Sequence, residues 1–173
     1  MAKNILIVFS SFDGHTINIC EHILKNLQTN HYPKLMNLKD AKKSDLEEAE
    51  KIIVGASIRY GDHHKDLYSF IKKYKDIIEV KENAFFSVNA VARKPEKNKP
   101  ETNPYIKKFL KRTSWEPKEL GVFAGKIDYP KYNFLDKHMI RLIMWITKGP
   151  TDLKKTYEFT NWNDVDKFTR KIS

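Results

Sequence analysis

Hydroxyl side chains crowd the stretch Phe9 to Thr16, FSSFDGHT, near the N-terminus. Ser10, Ser11 and Thr16 supply donors, and Gly14 permits a positive φ or a close approach of backbone to ligand. The amides that open a following helix add partial positive charge, so the stretch suits a phosphate even without a lysine. It has neither the GxxxxGK(S/T) run of nucleoside triphosphatases nor the GxGxxG of dinucleotide folds, so a terminal monophosphate is the expected ligand. An ordinary strand-to-helix turn capped by Thr16 would use the same residues.

Two more stretches offer chemistry. In GASIRYGDHH, Gly55 and Gly61 bracket Arg59 and Tyr60, presenting a cation and an aromatic face on which a flat ring could stack. Blandly, Tyr60 would cover the end of a sheet and Arg59 would be solvated. His63 and His64 invite a metal reading, but adjacent histidines on a helix point to different faces and no acidic partner stands at ligand spacing, so no metal is expected. In SVNAVARKPEKNKPETN, Ser87 and Asn89 can form hydrogen bonds and Arg93, Lys94, Lys97 and Lys99 are cations; such a run is also what a solvated loop looks like.

These stretches need elements to hold them. Ile5 to Phe9 is an apolar run of strand length, and Ile17, Cys20, Leu24 and Leu27 then recur at helical spacing. PKLMNL reads as a second strand. SDLEEAEK reads as a short helix begun by Ser44 with Glu47 three residues on. KIIVGAS, NAFFSVN and LGVFAG are three further buried strands. Between them, Leu67, Phe70, Ile71, Tyr74 and Ile78 share one helical face, and Tyr105, Ile106, Phe109 and Leu110 another. Trp162, Val165, Phe168 and Ile172 mark a last helix begun near Asn161. Five apolar strands separated by helices imply an open α/β sandwich with parallel neighbours and helices on both faces. Ligands of such sheets sit beyond the carboxyl ends of the strands, where the loops after strands one, three and four converge.

The 173 residues suit one domain, 1–173. The chain is 40% hydrophobic, enough for a packed core rather than disorder. Its net charge of +10 favours anionic partners: nucleic acid, acidic lipid, or substrates with carboxylates or phosphates. Cys20 is the only cysteine, which excludes an internal disulfide and fits a reducing compartment. The N-terminal apolar run lacks a cleavage pattern, so a cytosolic setting is expected.

One segment, roughly 126–152, is too long for a connection in a minimal five-stranded sandwich. Within it Phe134 to Ile146 is a helix apolar nearly all round, with Lys137 and Arg141 on its one polar side. At roughly 20 Å it is short of the ~30 Å hydrocarbon core and cannot span a bilayer. It can lie in a membrane interface with its cations toward the headgroups, or pack on the body or on a second copy of the chain.

Taken together, FSSFDGHT, IVGASIRYG, FFSVNAVARKPEK, TNPYIKKFL, YPKY and DKHMIRLIM make the chain resemble, over nearly its whole length, the flavodoxin-like, quinone-dependent protoporphyrinogen oxidases of bacterial haem synthesis. The resemblance implies a flavodoxin-like five-stranded parallel sheet of order 2-1-3-4-5 with a long helical insertion near the last strand. It also implies FMN, its phosphate held by Ser11, Phe12, Asp13, Gly14, His15 and Thr16. The isoalloxazine would lie between Ser57, Ile58, Arg59, Tyr60 and Gly61 on one side and Ser87, Val88 and Asn89 on the other. Phe12 stands where a basic residue is expected, which shifts phosphate binding toward backbone amides. TKGPTD is less glycine-rich than the resemblance leads one to expect.

The implied reaction takes six electrons from protoporphyrinogen IX in three two-electron steps and passes them through FMN to menaquinone or ubiquinone, at the cytoplasmic face of the bacterial inner membrane. Arg93, Lys94, Lys131 or Arg141 would attract the substrate's propionates, and His138 is a candidate proton acceptor because histidine titrates near neutrality. Two rivals stand beside this reading. One is a flavin-binding electron carrier or quinone reductase, against which the basic charge weighs. The other is a nucleic-acid-binding module drawing on the same charge.

Overall fold

A computed structural model describes residues 1–173. Strands β1 (Asn4–Ser10), β2 (Tyr32–Asn37), β3 (Lys51–Arg59), β5 (Glu82–Asn89) and β6 (Glu119–Ala124) form a parallel sheet in the order β2-β1-β3-β5-β6. Counted among these main strands alone, that is the order 2-1-3-4-5. Helices α1 (His15–Leu27), α2 (Lys43–Glu48), α3 (Lys65–Glu79) and α4 (Pro104–Thr113) make the crossovers, and α6 (Trp162–Ile172) follows the last strand.

The period-two pleat divides the core between the two faces. Leu6 and Val8 of β1, Ile52 and Val54 of β3 and Phe85 of β5 pack with Leu67, Ile71 and Ile78 of α3 and Phe109 of α4. Ile5, Ile7, Ile53 and Phe86 point the other way, onto Ile19, Cys20 and Ile23 of α1 and Val165, Phe168 and Ile172 of α6. A buried side chain of this size contributes about 1.5–3 kcal/mol, so both helix layers are anchored by several such groups. At Gly55 a Cβ would lie 2.3 Å from Phe86 Cζ, so only glycine lets that ring lie across β3.

Two local expectations change. α2 starts at Lys43, one residue before Ser44, because the Asp45 carboxylate accepts from the Lys42 amide at 2.9 Å and is also held by Lys34 Nζ at 2.6 Å. The histidine pair is not on a helix. Asp62 and His63 form a short strand, β4, antiparallel to the end of β3, while His64 caps α3 by accepting from the Asp66 amide. The link is a hairpin whose tip residues, Tyr60 (φ 51°) and Gly61 (φ 81°), are both left-handed, as a two-residue type I′ turn requires.

The chain leaves the main sheet after β6. Strands β7 (Lys126–Asp128) and β8 (Thr156–Glu158) pair antiparallel, and α5 (Phe134–Ile146) stands between them. Ile127, Tyr129 and Met144 form a small core of their own under α5.

Candidate functional site

The junction of β1 and α1 carries free donors. Gly14 is the N-cap of α1 with φ 85°, a conformation that costs a side chain strain, and its amide donates to Ser11 Oγ at 3.0 Å. The Phe12 amide donates to Ser57 Oγ at 3.2 Å, tying this turn to the end of β3. Thr16 is not the cap: its Oγ1 is buried with no partner. The amides of His15 and Thr16 fall in the first helical turn, where no preceding carbonyl can accept them.

His15 is also buried, with Nδ1 unpartnered. Thr160 spends its one hydroxyl proton on the Ala124 carbonyl at 2.7 Å, so at the 2.6 Å contact with His15 Nε2 the ring is the donor. Nδ1 is then an acceptor, and burial lowers the His15 pKa, keeping the ring neutral. The junction thus offers free amides and a hydroxyl to a phosphate, and an acceptor to a neighbouring hydroxyl.

Beside it opens a largely apolar cleft, continuous with solvent. Ser11, Asp13, His15 and Thr16 line one end. Ser57, Ile58, Arg59, Tyr60 and Gly61 form one wall, and Val88 and Asn89 meet them from β5. These loops are far apart in sequence, and the parallel order brings their strand ends together.

Arg59 is not solvated. Its guanidinium contacts the Asp13 carboxylate, lies 3.5 Å from Asp136 of α5, and sits 5.0 Å from the centre of the Phe12 ring. The Tyr60 hydroxyl donates to the same Asp136, which raises the phenol pKa and leaves its ring exposed at the mouth. One cation therefore bridges the phosphate-type turn and the start of α5.

Ser87 lies beneath the cleft rather than in its wall. It is fully buried, its Oγ 3.0 Å from His63 Nε2 and accepting from Asn89 Nδ2 at 3.1 Å. The Asn89 side-chain oxygen accepts from the Ala92 amide and from Asn103 Nδ2, both at 3.1 Å, so its acceptor shapes the loop, while one of its two Nδ2 hydrogens is not used by Ser87. Burial pushes the His63 pKa down to about 3, so its ring is neutral at physiological pH.

Helix α5 roofs the cleft with Ile140, Ile143 and Met144, followed by its C-cap residue Thr147. Arg93 fixes the far end of that roof, donating to Thr147 O at 2.9 Å, Thr147 Oγ1 at 3.0 Å and Ala90 O at 2.8 Å. A guanidinium there also complements the helix C-terminus. Arg93 lines the cleft with its two terminal nitrogens already bonded to Ala90 and Thr147. Lys94 and Phe12 do not line the cleft. Lys131 and Gly14 line a polar recess beside α1 with Lys126 and Asp128. His138 and Arg141 face a shallow depression on the outside of α5 with Leu142, Trp145 and Thr151.

Several lining residues were not expected at the site from the sequence. Tyr132, its pKa pushed up to about 12 by burial, and Tyr105 add aromatic surface, and Lys126 and Ile127 enter from β7. The nearly all-round apolarity of α5 was the available clue, since a helix serving only a membrane needs no second apolar side.

A flavodoxin domain family model matches residues 6–154. Protoporphyrinogen IX dehydrogenase (quinone) of Escherichia coli strain K12 is 38% identical over 169 residues, covering 97% of this chain and 93% of that protein. The protein of the same name from Leishmania major is 40% identical over 165 residues, 94% of this chain and 71% of that one. Among solved structures, oxidised Flavodoxin 1 from Bacillus cereus superposes with a TM-score of 0.55 at 16% identity, over 98% of this chain and 94% of that one. Two-electron reduced Megasphaera elsdenii flavodoxin gives 0.56 at 12% identity, over 68% and 84%. The fold is thus shared with flavodoxins and the sequence with a narrower group: the chain belongs to the flavodoxin domain family, among the quinone-dependent protoporphyrinogen IX dehydrogenases.

Proposed function

We propose that the protein binds FMN in the cleft and oxidises protoporphyrinogen IX to protoporphyrin IX, passing the electrons to a quinone. The observation that carries the cofactor is the pair of buried, unpartnered atoms, Thr16 Oγ1 and His15 Nδ1, at a helix start whose amides are free. Leaving such groups unsatisfied costs about 1–3 kcal/mol each, and a phosphate with its adjoining hydroxylated chain would recover that. The apolar cleft between Ile58, Val88 and the underside of α5 suits a flat ring system. Bound there, FMN supplies the two-electron acceptor for the porphyrinogen and the donor for the quinone.

The chain's own residues hold and shield. Thr16 and the α1 amides grip the phosphate, Arg59 neutralises Asp13 beside it, and Ile140, Ile143 and Met144 keep water from the ring. With Arg93 holding the roof and Lys131 paired with Asp128, the expected cations left for the substrate's propionates are Lys94 and Arg141, with His138 beside Arg141.

Purified protein should be yellow and should generate porphyrin fluorescence from protoporphyrinogen IX when a soluble quinone analogue is present. Bound FMN without porphyrin formation would leave an electron carrier. Colourless protein that binds oligonucleotide in a salt-dependent manner would leave a nucleic-acid module.

The same reading places the protein peripherally at the cytoplasmic face of the inner membrane. No helix is long and apolar enough to cross a membrane. Phe134, Leu135, Trp145 and Ile146 of α5 are each at least 65% exposed, with Arg141 among them. A second copy of the chain could cover the same face. Replacing both Trp145 and Ile146 by glutamate is expected to lower binding to anionic phospholipid vesicles about tenfold while leaving FMN content unchanged. Unchanged vesicle binding in a sedimentation assay would remove the membrane role.

A further inference from the structure

Resting on the FMN reading, we propose that Lys126, on the first strand of the insertion, is the cation that meets the cofactor's terminal phosphate, so that the insertion helps to anchor the cofactor as well as roof it. Lys126 lines both the large cleft and the polar recess against α1, where Gly14, His15 and Asn18 form the opposite side. Thr16, 1% exposed and with its hydroxyl unpartnered, lines the same cleft, so the helix start and this lysine border one space.

The other cations nearby are committed. Arg59 serves Asp13 and Asp136, and Arg93 holds Thr147 and Ala90. Lys131 Nζ is 3.3 Å from Asp128, whereas Lys126 Nζ is only at 4.0 Å from the same carboxylate oxygen. That loose contact lets the Lys126 ammonium turn toward an anion without losing a good partner. Its stem is more than two-thirds buried, so the charge is held near the α1 N-terminus rather than free in solvent. The field of Lys126 already reaches His15, where it adds to burial in lowering the ring's pKa.

Flavin fluorescence quenching on the apoprotein tests this with FMN and with riboflavin, which lacks the phosphate. Lys126→Met should raise the Kd for FMN about tenfold and leave riboflavin within about twofold of the wild type, while Lys126→Arg should recover most of the loss. The wild-type FMN affinity should also fall more steeply with salt than that of Lys126→Met. Equal FMN binding by wild type and Lys126→Met overturns the proposal while the cofactor reading stands. So does an equal loss of FMN and riboflavin, which would make Lys126 a prop for β7. A wild type that binds neither flavin sinks the cofactor reading and this inference with it.

Discussion

Replacing Arg59 with alanine is expected to weaken FMN about thirtyfold and to loosen the start of α5. The guanidinium neutralises Asp13, which adjoins the phosphate-type turn, and Asp136, which leads α5. Without it, two carboxylates face each other and an incoming phosphate. At a separation of about 6 Å and an effective dielectric near 20, one such repulsion is worth roughly 3 kcal/mol. The side chains are only 20–34% exposed, so solvent reduces this to about 2 kcal/mol rather than erasing it. The check is a double-mutant cycle with Asp13→Asn, measured by FMN titration. If Arg59 acts by neutralising Asp13, removing that carboxylate should restore most of the affinity lost in Arg59→Ala. Strictly additive losses would mean that Arg59 works through its packing on Phe12 instead.

Acid should destabilise the fold by about 2 kcal/mol between pH 7.5 and pH 5 through His63 alone. Its buried ring takes up a proton only near pH 3, whereas an unfolded histidine does so near 6.5. Between those values unfolding binds a proton, so stability falls as the pH drops from 6.5 toward 3 and is fully present above 6.5. His15, also lowered by burial, acts in the same direction. Substituting His63→Phe keeps an aromatic ring against Tyr68, Phe85 and Phe109 but cannot be protonated. Urea midpoints at pH 7.5 and pH 5 should then differ by about 2 kcal/mol less in the variant, after multiplication by the m-value. The same pH dependence in both proteins would place the acid sensitivity elsewhere. Because His63 holds Ser87 under the cleft, flavin release should accompany this acid loss.

Each main strand and helix was legible because its signal is local. The buried face of α3 is Leu67, Phe70, Ile71, Tyr74 and Ile78, the set that helical spacing selects, and α5 runs over the expected Phe134 to Ile146. That the hydroxyl-rich turn and the two later loops would meet at the carboxyl edge of the sheet was legible for a similar reason: polar and glycine residues stand directly after apolar strands. The hairpin at Tyr60 and Gly61 was not, since a tyrosine in the left-handed region carries no common turn signature.

What the sequence determined by itself was therefore the set of elements, the apolar faces they bury and the three loops that end the strands, because periods of two and 3.6 residues are written over short windows. Which charges meet was decided only by the tertiary structure. Arg59 finds Asp136 77 residues further on, His63 of β4 finds Ser87 of β5, and Lys126 arrives beside α1 on β7. The residues that decide what the cleft can hold are brought together by sheet order and by the path of α5, and no spacing along the chain encodes those distances.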